Sequence, residues 1–387
     1  MKKKLLMAAV GAALVAGPMV AAHAAGATLY GHVHLSMDRI DNGGNGDYVI
    51  INSSGAESIG SSGDVERGFM SNNSTRIGIK GDEDLGGGLK AIYQIESGSL
   101  GIDDATNGFG GDLRNSFVGF AGSWGTVKLG RYDTPYKDLG RKLDNFNEQV
   151  GDARNIIGDG AVLSNNSVSA AFIGEVGAGS WDQRTKNAIR YESPNMSGIT
   201  ANFLYSGNNG ADETAAGTQS TKSLGVNWSS GPLFLGFGWE EHSTGSSDAE
   251  TGMRLAGSFT FNNITLGAIY EMLEDIGGVG GLEKTVLGIM GAATMGNNKF
   301  KAHWYDMDEL EDDAGTLDGT GGSLWALGVD HTFSKTAMVY FNYAKADNDD
   351  NFNLVGVTSG NGGHGETVFV GAGKSPQAYS VGTIIKF

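Results

Sequence analysis

Residues 223–240 read Ser223-Leu224-Gly225-Val226-Asn227-Trp228-Ser229-Ser230-Gly231-Pro232-Leu233-Phe234-Leu235-Gly236-Phe237-Gly238-Trp239-Glu240. Leu224, Val226 and Trp228 alternate with Ser223, Gly225 and Asn227. Leu233, Leu235, Phe237 and Trp239 alternate with Gly236, Gly238 and Glu240. A period of two marks strands with one apolar face. Between the two runs, Ser229 to Pro232 has the composition of a tight turn. The stretch is therefore a hairpin, apolar on one face and polar or small on the other.

Outward from this hairpin the pattern recurs. It is seen at Leu29–Met37, Ile199–Tyr205, Leu255–Phe261, Leu266–Tyr270 and Phe300–Trp304. Short turn-rich connections alternate with long polar ones, at about 39–73, 98–112, 132–185, 207–221, 242–252, 273–283, 306–322 and 347–376. This predicts about 16 strands, all antiparallel, with short periplasmic turns and long extracellular loops, which is the plan of a transmembrane β-barrel. In lipid every backbone hydrogen bond must be met internally, so the sheet has to close. Pro135, Pro194, Pro232 and Pro376 fall in connections, where no ladder donor is lost. A soluble barrel would carry its apolar face inside. Here Tyr205, Trp228, Trp239, Tyr270 and Trp304 lie on the apolar faces near strand ends, as interfacial girdles do.

Composition agrees. The 64 glycines follow no triplet period, so collagen is excluded, and 40% hydrophobic residues argue against disorder. No cysteine is present, which removes disulfides and thiolate chemistry. A formal charge of −17 argues against nucleic acid as a partner. At the N-terminus, Lys2–Lys4, the apolar run Leu5–Val20 and Ala22-His23-Ala24 have the form of a secretory signal peptide. The expectation is a signal peptide at 1–24 and a single barrel domain at 25–387.

Several segments resemble the trimeric general porins of Gram-negative outer membranes. Thr28-Leu29-Tyr30-Gly31 is similar to that family's first strand, and Ser74 to Gln94, containing Gly81-Asp82-Glu83-Asp84-Leu85-Gly86-Gly87-Gly88-Leu89-Lys90, to its most recognisable hairpin. Gly125 to Arg131, followed by Asp133-Thr134-Pro135-Tyr136, resembles the fifth strand entering the constriction loop. Asn187 to Pro194 resembles the strand leaving that loop, and Val381 to Phe387 the closing strand. The resemblance implies an outer-membrane homotrimer that passes small hydrophilic solutes and ions, embedded in lipid and lipopolysaccharide. It further implies that Phe387 is read by the barrel-assembly machinery, and that loop 132–185 narrows the pore.

That loop carries Asp133, Asp138, Asp144, Glu148, Asp152 and Asp159 together with Lys137, Arg141, Lys142 and Arg154. Where Ile77, Ile79, Ala91, Tyr93, Val127 and Leu129 face lipid, alternation turns Arg76, Lys90 and Lys128 inward. A lysine or arginine facing lipid at midplane costs about 2–4 kcal/mol, which favours the same assignment. The expected constriction therefore sets Arg76, Lys90 and Lys128 against Asp138, Asp144, Glu148 and Asp152, with a field across the gap. His32 and His34 share a strand face, a spacing that can bind metal. No third ligand is evident near them in the sequence, so they are read as lumen-lining residues. The acidic runs Asp306–Asp313 and Asp347–Asn351 lack the glycine of a calcium loop and read as solvated loops. His242 and His364 have no partner motif for a nucleophile, so no enzyme, metal or cofactor is expected. A passive diffusion channel is the leading reading. A substrate-specific sugar or anion channel of the same fold is the alternative.

Overall fold

A computed structural model describes residues 26–51, 57–64, 66–98, 100–103, 113–158, 181–207, 220–243, 249–276, 280–351, 357 and 370–387. The expected signal peptide, Asp159 and His364 lie outside the described residues. In chain order the strands are β1 (Thr28–Asp41), β2 in two segments (Glu66–Asn72 and Arg76–Gly86), β3 (Leu89–Ser97), β4 (Ser116–Gly122), β5 (Gly125–Asp133), β6 (Arg184–Glu192), β7 (Ile199–Ser206) and β8 (Ser220–Ser230). They continue as β9 (Leu233–Ser243), β10 (Glu250–Phe261), β11 (Ile264–Glu274), β12 (Lys284–Met295), β13 (Asn298–Met307), β14 (Gly322–Thr332), β15 (Ala337–Asn348) and β16 (Gln377–Lys386). Each pairs antiparallel with its neighbours, and β1 closes on β16 with Val33 opposite Ile385. The backbone of Phe387 completes this seam, exchanging hydrogen bonds with Gly31 at 3.0 and 3.1 Å.

The apolar faces point outward. Leu235, Leu255, Leu266, Ile289, Phe300, Phe341 and Val381 are exposed on the outer surface, the band that lipid covers in an outer-membrane barrel. The β2–β3 turn is tight, because β2 continues to Gly86 and β3 begins at Leu89. Gly86, Gly87 and Gly88 all have positive φ, a conformation that side chains with a Cβ adopt only at a cost.

Two differences from expectation matter for the site. First, the connection expected at 39–73 is not all loop. It contains a hairpin, Gly46–Ile51 with Glu57–Ser62, and the polar first segment of β2. Leu35 pairs with Asn72 but His32 with Arg76, so β2 holds one more residue than β1 across this interval. The surplus sits at Asn73–Thr75, with Ser74 at φ 58°, and makes a bulge. Second, the inner face is not uniformly polar. Ile269, Leu273, Val286, Tyr305 and Leu324, from β11–β14, form a buried apolar cluster with Tyr136, Leu139, Phe146, Val150, Ile156 and Ile157 of the loop after β5. The barrel thus has a hydrophobic core inside its lumen, on one side.

Candidate functional site: the inward-folded loop and its charged wall

The chain turns inward at Thr134. This residue caps helix α1 (Pro135–Leu143), its hydroxyl accepting from the Lys137 N–H at 3.2 Å, with Pro135 in the first turn. Tyr136, Leu139 and Leu143 are buried against the wall. The Tyr136 hydroxyl donates to Glu271 at 2.9 Å. Arg254, fully buried on β10, bridges Asp182 and Glu271 and lies over the Tyr136 ring, 3.9 Å from its centroid. Farther along, Lys301 and Asn342 both donate to Gln149 Oε1, at 2.6 and 2.8 Å. The loop is therefore fastened to β10–β15 by a core and by charge-assisted hydrogen bonds.

Its opposite edge meets β1–β6. Glu148 Oε1 accepts from Arg76 at 2.7 Å and from Arg114 at 3.3 Å. Burial alone would raise the Glu148 carboxyl, but the two guanidinium groups outweigh it and hold it well below the usual range. Glu148 itself has φ 59°, an uncommon conformation for a residue with a Cβ, held by its N–H donating to Asp152 at 2.7 Å. Asp138 pairs with Arg190 at 2.7 Å. Arg190 also pairs with Glu192 at 2.9 Å, and Glu192 with Lys128 at 2.8 Å. A chain of alternating charge thus runs from the loop to Lys128.

The expected constriction residues separate into three groups. Arg76 and Glu148 meet directly, and Asp138 reaches the wall through Arg190. Lys128 faces inward but touches the wall's Tyr132 and Glu192, and among the described residues no contact joins it to the loop. Asp144 and Asp152, expected to face the gap, are instead buried within the loop. Asp144 accepts from the N–H groups of Phe146 and Ala153, and Asp152 from those of Glu148 and Arg154. Their carboxylates satisfy backbone donors that a buried irregular segment would leave unmet. Burial, with Asp152 as a negative neighbour, raises the Asp144 carboxyl well above its ordinary range. Lys90 is also displaced from its expected place. It pairs with Asp82 at 2.8 Å beside the β2–β3 turn, both side chains half exposed, and no described contact joins it to the loop.

Other charged residues complete the site. Arg114, Arg184 and Arg190 join the wall beside Arg76, and Asp133 gathers Lys137, Arg141 and Arg184 within 3.5 Å. Alternation could have found Arg190, which lies between outward Ile189 and Tyr191. Arg114 precedes β4 and has no alternating context. His242 is not a loop residue. It lies within β9, one residue before its end, is buried, pairs with Glu240 and stacks on Trp181 with ring centroids 4.3 Å apart. His32 and His34 also acquire a neighbour that local sequence could not show, because Glu148 closes a cluster with them.

A closed barrel, apolar outside and narrowed by an inward-folded charged loop, defines a membrane channel of the bacterial outer membrane. The family model for Gram-negative porins matches residues 8–351, and the chain belongs to that family. It is similar to outer membrane porin protein 32 of Delftia acidovorans, 28% identical over 289 residues that span 71% of this chain and 75% of the relative. Among solved structures, the fold matches an anion-selective porin from Comamonas acidovorans with TM-score 0.64 and 22% identity, over 94% of this chain and all of that one. It also matches the trimer form of OmpT of Vibrio cholerae, with TM-score 0.59 and 15% identity, over 94% of this chain and all of that one. The chain is an outer-membrane porin.

Proposed function

We propose that this porin is a homotrimeric, passive diffusion channel rather than an enzyme, and that its constriction is the narrowing made by the loop, edged where Glu148 and Asp138 meet the Arg76, Arg114 and Arg190 wall. The observation that carries this reading is the fastening of loop residues 134–158 inside the barrel on both sides. Charges of both signs beside confined water order dipolar solutes and divide the paths of cations and anions. The trimer form of the OmpT neighbour supports the assembly. The exposed apolar band supports contact with lipid and, at the loop end, lipopolysaccharide, and the aromatic Phe387 on an alternating strand suits recognition by the barrel-assembly machinery. Residues 1–24 act as a signal peptide, so the exported form begins at Ala25. Single-channel recording in planar bilayers tests the channel reading. Conductance should rise with salt without saturating, and saturation by one solute would favour a substrate-specific channel.

A specific observation favours anions within this reading. Four arginines, Arg76, Arg114, Arg184 and Arg190, cluster on one wall beside the loop, each paired with a carboxylate. Reversal potentials in a salt gradient decide it.

A further inference from the structure

We propose that His32, His34 and Glu148 form a binding site for a divalent transition cation of the zinc and copper class, which joins the constriction loop to the first strand. One nitrogen from each ring and one oxygen of Glu148 lie within 4.8 Å of one another, and all three residues are buried. Two imidazoles and a carboxylate are the donor set such cations prefer, whereas calcium and magnesium select oxygen. Ligands on one tetrahedral zinc, each about 2.0–2.1 Å from the metal, sit roughly 3.3 Å apart, so the cluster must tighten by up to about 1.5 Å.

The surroundings arrange these donors. Glu148 gives Oε1 to Arg76 and Arg114, while Oε2 lies 4.0 Å from His32 Nε2. His32 Nε2 is 3.0 Å from the Ser74 carbonyl, which only accepts, and His34 Nε2 is 2.9 Å from the Tyr340 hydroxyl. Because a carbonyl only accepts, His32 Nε2 carries the ring proton in this structure, so a cation takes Nδ1 or displaces that proton together with the Ser74 contact, while the hydrogen bonds hold both rings in orientation. The Tyr340 ring is seated over Gly382, where a Cβ would come within 2.2 Å of it. The bulge at Ser74 and the strained backbone of Glu148 thus converge on one point. The positive charge of Arg76 and Arg114 weakens the site but leaves its donors in place.

A bound cation adds positive charge at the narrowing and ties the loop to the wall, so zinc should reduce conductance reversibly and favour anions. Refolded, detergent-solubilised protein is titrated with Cu²⁺ and examined by electron paramagnetic resonance. One strongly bound copper with two coupled imidazole nitrogens is expected. His32→Gln and His34→Gln should each weaken binding by about tenfold or more and remove one nitrogen. In bilayers, Zn²⁺ should lower wild-type conductance, EDTA should restore it, and the double variant should not respond. Absence of a stoichiometric copper site, an unchanged nitrogen count in the variants, or equal block by Ca²⁺ overturns the proposal. If the variants fail to assemble, the wild-type nitrogen count decides. The copper spectrum does not depend on conduction, so failure of this site is separable from failure of the channel reading.

Discussion

Arg76 and Glu148 lie 72 positions apart in sequence, and their side chains meet at 2.7 Å inside the barrel. One comes from the wall and one from the loop, so this contact fixes the edge of the narrowing. Two unit charges about 4 Å apart interact by roughly 1 kcal/mol in bulk water and about 4 kcal/mol at the effective dielectric near a protein surface. Removing one of the pair should therefore change the ratio of cation to anion permeability by about fivefold or more. Arg76→Gln should move the reversal potential toward cations and Glu148→Gln toward anions. Lys90→Gln, beside the periplasmic turn, should have a much smaller effect than Arg76→Gln. Equal effects of the two cation-removing variants would place the narrowing elsewhere.

The contact should also resist acid. Because its guanidinium partners depress the Glu148 carboxyl below its ordinary value, its stabilising contribution is complete above about pH 4.3, the usual glutamate value. It is lost only as pH falls through the depressed value. Between pH 7 and pH 5, hydrogen exchange at residues 146–150 should therefore show no loosening that Glu148→Gln abolishes. A transition near pH 5 that disappears in this variant would contradict the assignment.

Arg254 should be the most costly single truncation on the far side of the loop. It is fully buried and neutralises both Asp182 and Glu271. Breaking a buried ion pair by removing one partner costs about 3–5 kcal/mol, because a charge is left uncompensated. Arg254→Ala should speed hydrogen exchange across α1 and raise open-channel noise. Exchange in the β7–β8 ladder should change little, since those hydrogen bonds do not involve the loop.

Phe387 should matter more to assembly than to the finished fold. Its backbone hydrogen-bonds Gly31 whatever its side chain, while the ring is half exposed. Phe387→Ala should lower the yield of heat-modifiable barrel in cells by more than it lowers the melting temperature of refolded protein. Equal yields from the two forms would count against the assembly role.

The outer surface was legible in the sequence because lipid imposes a rule on every strand. Leu235 and Leu255 face out for the reason Arg254 faces in, and a period of two records both. The inner surface follows no single rule. Glu148 and Asp152 are carboxylates four residues apart in one irregular segment, yet one reaches the wall and the other binds backbone N–H groups. Nothing local separates them, since the difference lies in where Arg76 and Arg114 wait. Lys90 shows the complementary limit. Alternation supplied its direction but not its height in the barrel, and height decides whether it meets the loop. The core of Phe146, Ile156 and Ile157 was hidden for another reason: apolar residues in a long polar connection have no period.

The extra residue at Asn73–Thr75 decides the parity of the second strand. Before it, an even-numbered residue, Met70, looks out; after it, an odd-numbered one, Ile79, does. Their partners on the first strand, Met37 and Leu29, both odd, keep one phase throughout. Deleting Ser74 would make the two strands equal in length, and one half of β2 would have to turn over. Either Met70 would enter the water of the pore, or Arg76 would be presented to hydrocarbon at about 2–4 kcal/mol. The bulge is thus a frame-shift written in the backbone, and the inward aim of Arg76 depends on it.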